Sequence, residues 1–336
     1  MDVEQRGSTP KEGYTMKWLT VFALALCCWA TASQAQSGDI AAHVEVHAIP
    51  SLTLSDTQVL TGSKDRKPVT VGGVLRLAQA GARQPAVVLI HGSSGIGPNI
   101  EMWERIFNAM GIATFAIDGF TGRGIVSTSR DQSQLGRLNL IIDAYGALSV
   151  LAHHPRIDPQ RIVLMGFSRG GQTTLYAAMR RLHRLWNTSG ASFQAYIPFY
   201  PDCMTRYQDD TDIDAPIREF HGADDDYDPP QQCVAYVDRL RKAGKDALMT
   251  VYPDAHHAFD LPFDMAPTVA KGSQTVRACQ IAEDEKGTLI NVATQSEFSF
   301  QDACVQLDPH VGANAQARDA AIRDVRAYLD RLFSQH

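Results

Sequence analysis

Residues 162–171, Ile-Val-Leu-Met-Gly-Phe-Ser-Arg-Gly-Gly, constrain the fold more than any other segment of the chain. Four apolar residues of strand character run directly into Gly-x-Ser-x-Gly, and residues 170–182 read as a helix. A strand can turn into a helix this abruptly only where side chains are missing at the contact, and the glycines on either side of Ser168 meet that need. The turn lifts the Ser168 hydroxyl above a sheet edge and sets it at a helix N-terminus, where negative charge is favoured. The five-residue pattern is common by chance, and its meaning comes from the strand before it and the helix after it.

Strands are expected at 69–77, 86–90, 113–117, 162–165, 195–199, 217–221 and 248–252. Helices are expected at 101–109, 137–153, 170–182, 230–243 and 315–333. This alternation predicts an α/β fold, a mostly parallel central sheet with helices on both faces. The chemistry of such sheets lies in the loops at the carboxyl ends of the strands. Residues 266–308 break the rhythm and read as an insertion before the last helix, with a hairpin expected from 288–292 and 298–300. Residues 36–336 are therefore expected to be one domain. With 44% hydrophobic and 20% charged residues the chain is not disordered, and a net charge of −6 without a basic cluster excludes nucleic acid as a partner.

The N-terminus sets the compartment. Lys17 precedes the apolar run 18–30, and the small and polar residues 31–35 follow it, a signal-peptide layout with cleavage expected after Ala35. The run is too short for a comfortable membrane span, so no stable membrane anchor is expected. Residues 1–15 are polar, and Met16-Lys17 reads as the natural start. The expected location is periplasmic or secreted. Four cysteines then remain, an even number that suggests disulfides in an exported chain. Cys203 and Cys233 fall in loops that should be neighbours at the carboxyl edge of the sheet, and Cys279 and Cys304 bracket the insertion. The expected pairs are Cys203–Cys233 and Cys279–Cys304.

A serine needs a base, and the required order is Ser, then an acid, then His. Asp225 lies in His-Gly-Ala-Asp-Asp-Asp-Tyr-Asp after one expected strand, and His257 in Tyr-Pro-Asp-Ala-His-His-Ala-Phe-Asp after the next. Asp224, Asp226 and Asp228 read as a solvated turn, a calcium loop being the other reading of such a run, though without the glycine spacing of an EF-hand. His256 is the rival of His257. No metal ligand set is expected. The oxyanion hole would take the amides of Arg169 and of Ser93, with Ser94 as the alternative to Ser93. His91 and His221 read as structural loop residues. Candidate substrate contacts are Trp103, Tyr200 and Arg123, although Arg123 reads more readily as a brace paired with an aspartate such as Asp118.

From about residue 86 to 259 the chain resembles the dienelactone hydrolase family of α/β-hydrolases. The similar segments are Ile-His-Gly-Ser-Ser-Gly at 90–95, the loop at 116–125, the helix entry around Asp143, residues 157–171, Phe-Tyr-Pro-Asp-Cys at 199–203 and the two loops carrying Asp225 and His257. The resemblance implies that the aspartate three residues after the loop glycine, Asp225 after Gly222, completes a triad. It also implies that the His before x-Phe, His257 before Ala258-Phe259, is the base. Family members often carry Cys as nucleophile. Ser168 stands there in this chain, which favours serine-esterase chemistry on a small-molecule carboxylic ester or lactone, with no cofactor. The alternatives are a serine peptidase of the prolyl-oligopeptidase-like type and a non-catalytic binding protein on a hydrolase scaffold.

Overall fold

Residues 41–334, apart from 64 and 82, are described by a computed structural model, and the expected signal peptide lies outside them. Eight strands hydrogen-bond into one sheet: β1 (His43–Thr53), β2 (Lys67–Leu77), β3 (Gln84–Ile90), β4 (Ala113–Asp118), β5 (Ile157–Phe167), β6 (Ala195–Phe199), β8 (Ile217–Gly222) and β9 (Ala247–Tyr252), while β7 (Thr205–Arg206) stands outside it. Their order is β1-β2-β4-β3-β5-β6-β8-β9. The β1–β2 and β2–β4 pairs are antiparallel and all others parallel. The helices are α1 (Asp56–Thr61), α2 (Pro98–Ala109), α3 (Leu140–Ala152), α4 (Arg169–Ala177), α5 (Arg180–Trp186), α6 (Pro230–Lys242) and α7 (Ala315–Phe333).

The apolar runs of β3 and β5 are buried on both faces, as parallel strands under two helical layers must be. Val88, Ile90 and Leu164 face one core with Leu148 of α3, Tyr176 of α4 and Leu240 of α6. Val87, Leu89 and Val163 face the other with Trp103 and Phe107 of α2 and Leu329 of α7. The expected α/β architecture is thus present, with helices on both faces.

Three departures have local causes. Strand β1 went unread because its residues alternate weakly and most are exposed or half-buried at the sheet edge. The helix expected over 170–182 breaks at Met179, whose extended backbone (φ −66°, ψ 120°) bridges to Ile213 before α5 begins. In the insertion the hairpin forms from β13 (Leu289–Asn291) and β14 (Ser296–Glu297), so its second strand sits earlier than expected.

The insertion carries further short pairings. β10 (Thr268–Val269) pairs with β16 (His310–Val311), β11 (Gln274–Thr275) with β15 (Gln306–Leu307), and β12 (Ile281–Glu283) with β13 and with β7. Disulfides join Cys203 to Cys233 and Cys279 to Cys304, with Cα separations of 5.1 and 5.0 Å. Both are the pairs the loop positions predicted. Among the described residues no helix is long and apolar enough to cross a membrane.

Candidate active site

Ser168 sits between β5 and α4 with φ 54° and ψ −117°, a backbone conformation that side-chain-bearing residues avoid. The surroundings hold it there. Its N–H donates to the Phe199 carbonyl at 3.0 Å, and its carbonyl accepts from Gln172 N at 2.8 Å. The packing is close enough to exclude any side chain at the flanking glycines: a Cβ on Gly166 would lie 2.2 Å from the Gly170 carbonyl oxygen, and one on Gly170 2.3 Å from that of Ile90.

Asp225 follows β8 and His257 follows β9. The His257 Nδ1 atom is 2.8 Å from Asp225 Oδ2, and its Nε2 is 2.9 Å from Ser168 Oγ. Asp225 Oδ1 accepts from the amides of Tyr227 and Asp228, both at 2.9 Å. Burial would raise the Asp225 carboxyl, but His257 and His221 outweigh it and hold it below the ordinary carboxylate range. An ionised Asp225 only accepts, so His257 Nδ1 carries the proton and Nε2 accepts from the Ser168 hydroxyl. Burial pulls the His257 imidazole down, and Asp225 outweighs that and lifts it. The ring is clamped between aromatics, Tyr227 stacked at 4.6 Å and Tyr200 edge-on at 4.7 Å.

The other acid-loop residues separate by environment. Asp224 is exposed. Asp226 faces the insertion side, where its carboxylate accepts from Arg277 Nη1 at 2.9 Å and from His310 N at 2.8 Å. Asp228 is buried with its carboxylate 3.9 Å from His257 Nδ1, and burial, with Asp202 and Asp225 nearby, pushes it up to about 8. His256 is half-buried, and the imidazole that joins Ser168 to Asp225 is that of His257.

Two cavities meet at Ser168. The larger, about 270 Å³, is lined by Tyr200, Leu261, Ala258 and Val311, with Ser93 and Ser94 on its wall. The smaller, about 40 Å³, is lined by the polar side chains of Gln132, Gln172, Arg137, Asp202 and Asp228 together with Val276 and Phe300. Ser93, Ser168 and Tyr227 border both, and Arg169 borders the smaller. Gly92 packs so closely on Ser168 that a Cβ there would lie 3.3 Å from Ser168 Cβ, which brings the Ser93 loop alongside the hydroxyl. The Arg169 guanidinium turns to the 132–136 segment, donating to Gln132 Oε1 at 2.6 Å and to the Leu135 carbonyl at 3.1 Å. The insertion forms part of both walls through Ser273, Ala270, Gln274 and Phe300.

Of the three expected substrate contacts, Tyr200 lines the larger cavity, whereas Arg123 and Trp103 line neither. Arg123 makes a two-pronged ion pair with buried Asp143, at 2.7 and 2.9 Å, and donates to the Leu52 carbonyl. It braces the loop as its structural reading had it, with Asp143 as the partner in place of Asp118. Trp103 is fully buried and donates its indole N–H to Asp260 at 2.9 Å. Asp260 also accepts from the Tyr200 hydroxyl at 2.6 Å, so Trp103 supports the site at one remove. Sequence reading missed Asp260, Tyr227 and Glu219. Asp260 stands three residues after His257, and Glu219 and His221 alternate on one strand, so spacing alone could have raised both. His91 is structural, its Nε2 accepting from Gly119 N at 3.2 Å. His221 is not merely so, because it lies 3.4 Å from Asp225 Oδ2.

Among the described residues two groups bring three potential metal ligands together: Glu45, His47 and His154 beside β1, and Glu219 with Cys203 and Cys233. The two sulfurs of the second group are bonded to each other. Neither group contains Ser168, Asp225 or His257.

The dienelactone hydrolase family model matches residues 72–281, more than half of the chain. A dienelactone hydrolase-like promiscuous phosphotriesterase from metagenomic libraries shares the fold at a TM-score of 0.54 and 16% identity, covering 86% of this chain and 98% of its own. Esterase 2 of Thermogutta terrifontis, phosphonylated by cyclosarin, aligns at a TM-score of 0.46 and 19% identity, covering 57% of this chain and 80% of its own. No curated protein sequence matches the chain. The mostly parallel sheet with helices on both faces and the span of the family match lead to one assignment: the chain belongs to the dienelactone hydrolase family of α/β-hydrolases, enzymes that hydrolyse ester bonds.

Proposed function

We propose that the protein is an exported serine hydrolase that cleaves a small carboxylic ester or lactone through an acyl-enzyme. The observation that carries this reading is the continuous path from Ser168 Oγ through His257 to Asp225, at 2.9 and 2.8 Å. Ser168 attacks the acyl carbon while His257 Nε2 takes its proton. Asp225 keeps His257 in the Nδ1–H tautomer and stabilises the imidazolium. Negative charge gathers on the carbonyl oxygen, and the amides of Arg169, first in α4, and of Ser93 stabilise it, helped by the positive end of that helix. His257 then protonates the leaving alcohol, and water, activated by the same imidazole, releases the acid.

The two cavities suit a substrate with one compact arm and one larger apolar arm of modest length. Export is supported by the charged, apolar and small-residue order of residues 17–35 and by two disulfides. Hydrolysis of p-nitrophenyl butyrate by the wild type and Ser168→Ala tests the assignment. The variant is expected to lose several orders of magnitude in kcat with its fold intact. Retention of more than about a tenth of the activity would remove Ser168 as the nucleophile.

A further inference from the structure

Glu219 and His221 take no part in the steps above, yet His221 adjoins the acid and Glu219 adjoins His221. They alternate along β8, and their side chains therefore share one face of the strand. Both side chains are fully buried. His221 Nε2 is 2.7 Å from the Asp228 carbonyl oxygen and 3.4 Å from Asp225 Oδ2, and its Nδ1 is 3.1 Å from Glu219 Oε1. A carbonyl only accepts, so Nε2 carries a proton. The other ring nitrogen faces a carboxylate.

Glu219 is held by little else. Its second oxygen, Oε2, is buried without a hydrogen-bond partner. The sulfurs of Cys203 and Cys233 lie within 4.8 Å of its carboxylate. A carboxylate this deep is tolerated against a counter-charge, and among the described residues the cation-forming group paired with it is His221. Burial raises the Glu219 carboxyl and the His221 contact draws it back down; with Glu219 ionised, the proton shared by this pair leaves the imidazole cationic.

We propose that His221 and Glu219 are positioning residues of the triad: Glu219 holds His221 as a buried imidazolium, and His221 braces Asp225 Oδ2 beside His257 and lowers the basicity of His257. The role presupposes Ser168, His257 and Asp225 as assigned above. Burial would depress His221, but its bonds to Asp225 and Glu219 lift it to about 10. The groups facing His257 are Asp225, Asp228 at 3.9 Å and the rings of Tyr200 and Tyr227. Those facing His221 are Glu219, Asp225 and the Asp228 carbonyl. Asp225 and Asp228 favour protonated His257, and the His221 cation opposes it.

The test measures the rate of inactivation by a fluorophosphonate against pH for the full chain and two variants. His221→Gln removes the cation. Glu219→Gln keeps the shape, and its amide donates to Nδ1, so the imidazole becomes neutral while both ring contacts survive. Loss of the cation makes His257 more basic, and the acid limb moves to higher pH, by about one unit for His221→Gln and about half that for Glu219→Gln. If His221→Gln does not fold, as judged by circular dichroism, Glu219→Gln alone decides. Folded variants that follow the wild-type pH profile, or that lose rate equally at every pH, overturn the proposal and leave both residues as packing. A wild type unlabelled at Ser168 is a different result: it removes the nucleophile beneath the proposal and the proposal with it.

Discussion

Asp225 differs from its three neighbouring aspartates in what reaches it rather than in its chemistry. Two backbone amides fix one oxygen, and His257 takes the other. Asp225→Asn preserves that shape but presents an amide that donates to His257, which favours the wrong tautomer. Turnover of p-nitrophenyl butyrate should fall by about 10⁴. Asp226→Asn and Asp228→Asn should stay within about tenfold of wild type, since Asp226 faces Arg277 and His310 and Asp228 stands off at 3.9 Å. A larger loss at Asp226 than at Asp225 would reverse the assignment. The pH profile follows from His257, which must be neutral to accept the Ser168 proton. Asp225 raises its pKa, so activity is lost as pH falls through a value above the ordinary imidazole value of roughly 6.5. An acid limb of kcat/KM centred below that value would contradict the pairing. The meeting of Ser168, Asp225 and His257 was legible because loop position and spacing bring these three residues to neighbouring strand ends. Arg123 and Trp103 were not legible as structural supports of known partner, because Asp143 and Asp260 reach them only through tertiary packing.

At the scale of elements, the insertion is tied to the acid loop as well as to its own hairpin. Thr275 Oγ1 donates to the Tyr227 carbonyl at 2.5 Å, and Arg277 Nη1 donates to the Asp226 carbonyl at 2.7 Å. Gln274 Oε1 accepts from Gln132 N at 2.8 Å, and both residues line the smaller cavity. These contacts place the insertion over Ser168. Arg277→Ala should loosen it, raising KM by up to about fivefold, the equivalent of roughly 1 kcal/mol for a half-exposed pair, with kcat nearly kept. An unchanged KM together with unchanged protease resistance of residues 266–308 would show that this clamp holds nothing. The break in alternation was readable, but the pairings that replace it, which run on to His310–Val311, were not. Two-residue strands carry no periodicity, and β12 finds its partner in β7, more than seventy residues earlier in the chain.

Across the whole molecule, the parallel sheet was legible from the alternation of apolar runs and helices, but its order was not. The position of β1 and β2 at one edge depends on contacts that span the chain, such as Asn139 Oδ1 with Leu54 N. Cys279–Cys304 closes a loop of 25 residues, and replacing both cysteines by serine should cost about 3 kcal/mol in the chain-entropy model. Urea unfolding of the double variant checks this, and an unchanged midpoint would contradict it. The cavity dimensions set a second expectation, that p-nitrophenyl acetate and butyrate are cleaved at rates the palmitate ester does not approach. Equal kcat/KM for all three would contradict a site of that size. The most direct test of the covalent route is peptide mapping by mass spectrometry after treatment of the whole protein with a fluorophosphonate. One adduct, on Ser168 in the peptide carrying Gly-Phe-Ser-Arg-Gly, is the predicted result; a protein left unlabelled, or labelled on another residue such as Ser93, would contradict it.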